Sequence, residues 1–416
     1  MNRTTLVARI GLLAVLLLAT FGHAGSQPDV LLAWHALLLV TTLLAWWFTA
    51  PGATGHRPSA GTALALAALC LVLVVGFARA PYRFAAWLTM VEVAAFVAAF
   101  ALAIRTGPRL VVWLGPALLS AGWLQTGLLF YQRFVTGDPR PAGTFNNPNY
   151  LAGWLAATVL FCAGRWITRP ADRVARGSAA AAIPLLAGIA ITGSRGALVG
   201  IAAGGLLLAG LVWKGLAAAR RKQLVAAFVV VGVAASVAVF VRLQQPDPFR
   251  YQRLKIWRAS VVPLLDAPWS GTGPGQFVRE APNLQFPDGR GALRYDRGFR
   301  TTHSDWIRVA AELGWPGVWA FGWVVVSVGA HIARRRRRSD PLDIGAVAAL
   351  GALFAQSAVD NVSRAPALYL VGAVLLGLVV TIEAPVRRPV RPLWRAVVVL
   401  VAVHLFVVGD VAPWRA

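Results

Sequence analysis

Arg195 and His303 are residues whose type and setting could do chemistry in this chain, because each stands in a polar segment cut into an otherwise apolar sequence. Arg195 lies in TGSRGAL, from Thr192, at a turn flanked by glycine. Its planar guanidinium offers paired donors that match two phosphate oxygens, so it is suited to grip a diphosphate in a way a lysine could not. An arginine at that depth can also simply snorkel to lipid headgroups. His303 lies in THSDWIRVAAELGWPG, from Thr302, with Asp305, Arg308 and Glu312 close by. An imidazole titrates near neutrality and could take a proton from a hydroxyl, which predicts a rate limb at about pH 6 to 7. A histidine at a helix entry can equally serve as a cap.

Two more segments carry polar groups of the same kind. In GTFNNPNYLAGWL, from Gly143, Asn147 and Pro148 read as an N-cap followed by proline at the first helical position. That does not account for Asn146, Asn147 and Asn149 together, a set suited to hydrogen-bonding sugar hydroxyls or phosphate oxygens. In FRYQRLKIWRASVVPLLDAPWSGTGPGQF, from Phe249, the residues Tyr251, Leu254, Trp257, Val261 and Leu265 recur at helical spacing, which predicts an amphipathic helix in the membrane interface. Arg253 and Lys255 flank that stripe, and a basic interfacial helix of this kind can serve simply as an anchor. GTGPG has no preceding strand and no following lysine, so it reads as a flexible turn rather than a phosphate loop.

The elements that position these residues are membrane helices. Hydrophobic residues make up 58% of the 416 and charged ones 13%, and the apolar ones fall in runs long enough to cross a bilayer as helix. The predicted fold is all-α, a polytopic membrane protein of twelve spans and a thirteenth at 395–411, forming one domain over 1–416. The first run reads as a retained helix rather than a cleaved signal. Basic residues concentrate at Arg165 to Arg176, Lys214 to Lys222, Arg334 to Arg338 and Arg387 to Arg395. The positive-inside bias over short loops therefore puts the N-terminus in the cytoplasm and the long loop 242–304, with its short helices, outside it.

All four polar segments then fall on one face of the membrane. The net charge of +24 is topology and headgroup contact, with no nucleic-acid partner implied. Cys70 and Cys162 each sit inside an apolar run, which predicts packed thiols with no disulfide and no metal site.

Taken in order, GTFNNPN, TGSRGAL, QRLKIW through GTGPGQF, and HSDWIRVAAELGWPG resemble the O-antigen ligase and polymerase family of bacterial envelope glycosyltransferases, over residues 109–382. The resemblance implies transfer of a glycan from an undecaprenyl diphosphate carrier to an acceptor on the periplasmic side of the inner membrane. It implies no nucleotide sugar, no cofactor and no metal. Its site residues fall on Arg195, Arg253 and His303, with Asn146, Asn147, Asn149, Arg250, Arg258 and Arg308 as substrate-binding candidates. Within the family the acceptor stays open among lipid A core, a growing glycan and protein, the ligase-like reading being favoured because both arginines and the histidine are present. A lipid-linked oligosaccharide flippase is the competing class. It should carry charges along a mid-membrane pathway and show similar halves, whereas Glu92 is almost alone in mid-span here.

Overall fold

The computed structural model describes residues 3–47, 54–223, 225–226, 232, 252–286, 299–338 and 342–385. The described chain is helical almost throughout: α1 (Arg3–Phe21), α2 (Pro28–Trp47), α3 (Ala60–Arg79), α4 (Arg83–Thr106), α5 (Leu110–Phe134), α6 (Pro148–Thr168), α7 (Arg173–Ala181), α8 (Ile183–Thr192), α9 (Arg195–Val212), α10 (Gln252–Asp266), α11 (Asp305–Arg337), α12 (Ile344–Ser357) and α13 (Pro366–Val380). Among the described residues, seven helical segments are long and apolar enough to cross a membrane. Most of the expected span near 223–241, all of that at 395–411, and residues 242–251 and 287–298 of the long loop lie outside the described residues.

Two local features depart from the expected all-α pattern. The apolar run 178–193 is two helices, α7 and α8, meeting at Ala182. Pro184 sits at the start of α8 and lacks the amide hydrogen that would continue the ladder of α7. A short antiparallel ribbon also forms, pairing β1 (Thr54–Pro58) with β2 (Thr381–Pro385). It is continued by the amide of Ser59, which donates to the carbonyl of Val380 at 3.1 Å. Strand pairing of this kind satisfies backbone groups that neither helix end can satisfy alone.

The helices pack through small residues, as close approach in a bilayer requires. A methyl added at Gly345 would strike the Phe161 carbonyl, and one at Gly164 would come within 2.5 Å of the Gly345 Cα. Gly200 and Gly204 likewise face the Ala352 and Ala348 carbonyls, so α6, α9 and α12 meet backbone to backbone. α13 is buried over nearly its whole length, and its uniformly apolar sequence matches that central position.

Helix ends sort into two sets. At one end Arg9 donates to the Thr106 carbonyl (3.2 Å), Arg165 to the Val111 carbonyl (2.6 Å) and Arg335 to the Thr381 carbonyl (2.9 Å). At the other end Gln125 reaches the Thr20 carbonyl (3.4 Å), Asn146 the Ser26 hydroxyl (3.0 Å) and Gln276 the Tyr82 carbonyl (2.7 Å). The second end also gathers the starts of α6, α9 and α11, where the polar segments lie.

Candidate active site

The entry to α11 is built to hold His303 in one place. The Thr302 hydroxyl donates to the Ser304 carbonyl at 2.6 Å and accepts from the Ser304 amide at 3.2 Å. Ser304 then caps the helix, its hydroxyl accepting from the Ile307 amide at 3.3 Å. Between them His303 takes φ +49°, in the left-handed region. A non-glycine residue there is uncommon, and it persists only where its surroundings over-determine it.

Arg253, on the first turn of α10, meets the turn that follows α12. Its Nη1 donates to the Val359 carbonyl at 2.8 Å and its Nη2 lies 3.9 Å from Asp360 Oδ2. Burial pushes the Asp360 carboxyl above the usual range, and Arg253 opposes that by favouring the charged form. The carbonyl of Asp360 in turn accepts from the Asp305 amide at 3.3 Å.

Arg195 opens α9 just after the capping Ser194, and a β-carbon on its neighbour Gly196 would stand 3.5 Å from Asp360 Oδ2. The N-terminus of α9, Arg253 and the approach to His303 therefore converge on Asp360. Burial, then the charges of Arg253 and Arg364, hold the His303 imidazole down at about 4. That makes it neutral across the physiological range, its titration falling well below the pH 6 to 7 expected from the sequence.

Arg308 lies one turn into α11. Its Nη2 donates to the Ser363 hydroxyl at 2.9 Å, and its Nε is 4.0 Å from Asp305 Oδ1. Asp305 also accepts from the Ser363 amide at 2.9 Å and from the Ser363 hydroxyl. Glu92, from α4, is electrostatically coupled to Arg308, Arg364, Glu312 and Asp305. The sequence reading of Glu92 as nearly alone in mid-span is thus corrected: its partners come from α11 and from the turn before α13.

The glycine-rich stretch serves the fold. The amides of Gly275 and Phe277 donate to the Glu312 carboxylate at 3.0 and 3.3 Å, and the Gly273 amide to the Glu312 carbonyl at 2.8 Å. Gly271, Gly273 and Gly275 all take positive φ, which wraps the loop around an internal anion as a nest of amides would wrap a phosphate. With those donors engaged, the loop is the structural turn that its sequence suggested.

Of the remaining candidates, Asn149 comes within hydrogen-bonding reach of the Asp360 carboxyl. The Asn147 side chain accepts from the Asn149 amide at 2.9 Å and caps α6, while Asn149 accepts from Arg140 Nη2 at 3.1 Å and Asn146 is exposed. Arg258 is exposed on α10, and Arg250 lies outside the described residues. In α10 the residues Leu254 and Leu265 are exposed while Ile256 and Leu264 are buried, so one apolar face is left outward as an interfacial helix needs. Among the described residues, no group of three His, Cys, Asp or Glu side chains is placed to hold a metal ion.

Residues 179–322 match the O-antigen ligase family. The matched segment contains Arg195, Arg253, His303 and Arg308, and it supports a membrane glycosyltransferase of the O-antigen ligase or polymerase type acting on lipid-linked glycan and acceptor. No curated protein matches the chain. Asp360, Asn361 and Arg364, in VDNVSRAP between α12 and α13, fall after the matched segment and were not singled out by motif. The signal was present as a cluster of polar residues between two apolar runs, on the face that helix alternation already gave to His303.

Proposed function

We propose that this chain transfers a glycan from undecaprenyl diphosphate to an acceptor hydroxyl at the periplasmic face of the bacterial inner membrane, as an O-antigen ligase does. The observation that supports the reading is the meeting of the start of α9, which carries Arg195, with Arg253 and the turn after a neutral, half-buried His303 at Asp360. In the reaction the acceptor oxygen attacks the anomeric carbon and loses its proton to His303, while the bond from that carbon to the phosphate oxygen breaks. The leaving group is undecaprenyl diphosphate. Its developing negative charge is met by Arg195 and Arg253, which do the work that a divalent ion does in other glycosyl transfers. Attack opposite the leaving group inverts the anomeric centre, and chelators leave the rate unchanged.

Lipid A core is the favoured acceptor, with glycan polymerisation and transfer to protein as the other members of the family's range. Deleting the chain tests the reading in cells. Lipid-diphosphate-linked glycan is expected to accumulate and finished glycoconjugate to disappear, and wild-type protein restores both. Unchanged levels of the lipid-linked glycan would overturn the proposal.

A further inference from the structure

We propose that Arg364, assisted by Asn361, binds a phosphoryl group of the lipid diphosphate as a third cation of the site. The inference rests on the proposed function and adds residues outside the segment that matches the family. Three arginines lie on or against the turn 359–364 beside the start of α11, and two of them are engaged: Arg253 with Val359 and Asp360, and Arg308 with Ser363 and Asp305. Among the described residues Arg364 has no side-chain hydrogen bond and no carboxylate within ion-pairing distance, and its Nε is buried. Its guanidinium nevertheless acts on His303 together with that of Arg253.

Asn361 comes from the same turn, the Arg364 amide donating to its carbonyl at 3.2 Å. It is 1% exposed, and neither its side-chain nitrogen nor its side-chain oxygen has a hydrogen-bond partner. Burying an amide and part of a guanidinium without partners costs free energy, and such groups in a native structure call for a partner, which a bound ligand can supply. The missing partner of a guanidinium is an anion with oxygen acceptors. A diphosphate supplies two such groups, so Arg253 and Arg364, whose charges both act on His303, can each take one. Burial and then the charge of Arg308 push the Arg364 guanidinium below its usual range, with Glu312 and Glu92 opposing; an anion bound there favours the charged form further.

Binding of farnesyl diphosphate to the purified full chain in detergent tests this, with farnesyl monophosphate and phosphatidylglycerol as comparison probes. Wild type is expected to prefer the diphosphate over both. Arg364→Ala should weaken diphosphate binding about 10- to 100-fold, Arg364→Lys should recover part of it, and Asn361→Ala should weaken it less. Monophosphate binding should change less than about threefold. Thermal melting of Arg364→Lys and Asn361→Ala identifies variants that fold as wild type does. Diphosphate binding by Arg364→Ala equal to that of wild type would overturn this assignment alone. A wild-type protein that binds phosphatidylglycerol as tightly as the diphosphate would overturn the donor reading beneath it as well.

Discussion

Replacing Arg253 by alanine is expected to lower the rate of glycan transfer at least about a hundredfold. Loss of one preorganised donor to a developing oxyanion commonly costs on the order of 3 kcal/mol of transition-state stabilisation, which is that factor in kcat/KM. Arg253 also holds the Val359 carbonyl and faces Asp360, so its removal loosens the turn behind the site. Arg195→Ala is the cleaner variant. Arg195 is exposed at the start of α9, where Ser194 supplies the cap, and its loss should leave folding intact while transfer falls by a similar factor. Lysine at either position should recover little, since it offers one point of contact where the guanidinium offers a fork. Initial rates with donor in excess, alongside thermal melting, separate the two effects, and a rate within about threefold of wild type would remove that arginine from the site.

His303 gives the second large effect. Without a base to take the acceptor proton, transfer should fall about a hundred- to ten-thousandfold. The left-handed backbone at this position makes His303→Asn the informative variant, because asparagine tolerates that conformation far better than alanine does. The pH dependence carries a sign that can be checked. With the imidazole held down to about 4 by burial and by Arg253 and Arg364, the free protein has its base form at every pH above that value. kcat/KM should therefore rise through about pH 4 and then level off. A bound diphosphate neutralises the two arginines and removes part of the downward push, so the limb in kcat should lie at higher pH than the limb in kcat/KM. Coincident limbs for the two parameters would show that the donor's charge does not reach His303.

The helical membrane character was legible because an apolar run of fixed length is a strong signal, and seven such helices stand among the described residues. TGSRGAL was read correctly as a turn: Gly193 takes a left-handed conformation and Ser194 caps α9. Asn147 was legible as a cap for the same reason, since capping depends on neighbours in the chain. Asp360, Asn361 and Arg364 were not legible, because what makes them part of the site is the packing of one turn against α10 and α11. Glu92 is the sharpest case. A single carboxylate in an apolar run reads as isolated, yet its partners come from α11, more than two hundred residues along the chain, and from the turn before α13. Nor does the sequence show that Glu312 engages the amides of the glycine-rich loop, since that carboxylate and those glycines meet only in the folded chain.

The most direct measurement is release of undecaprenyl diphosphate by the purified chain in liposomes, supplied with an undecaprenyl-diphosphate-linked glycan and a lipid A core acceptor, with and without chelator. The account predicts one undecaprenyl diphosphate released for each glycan transferred, at a rate that chelation leaves unchanged. Transport of the intact lipid-linked glycan across the bilayer without release of the diphosphate would contradict it.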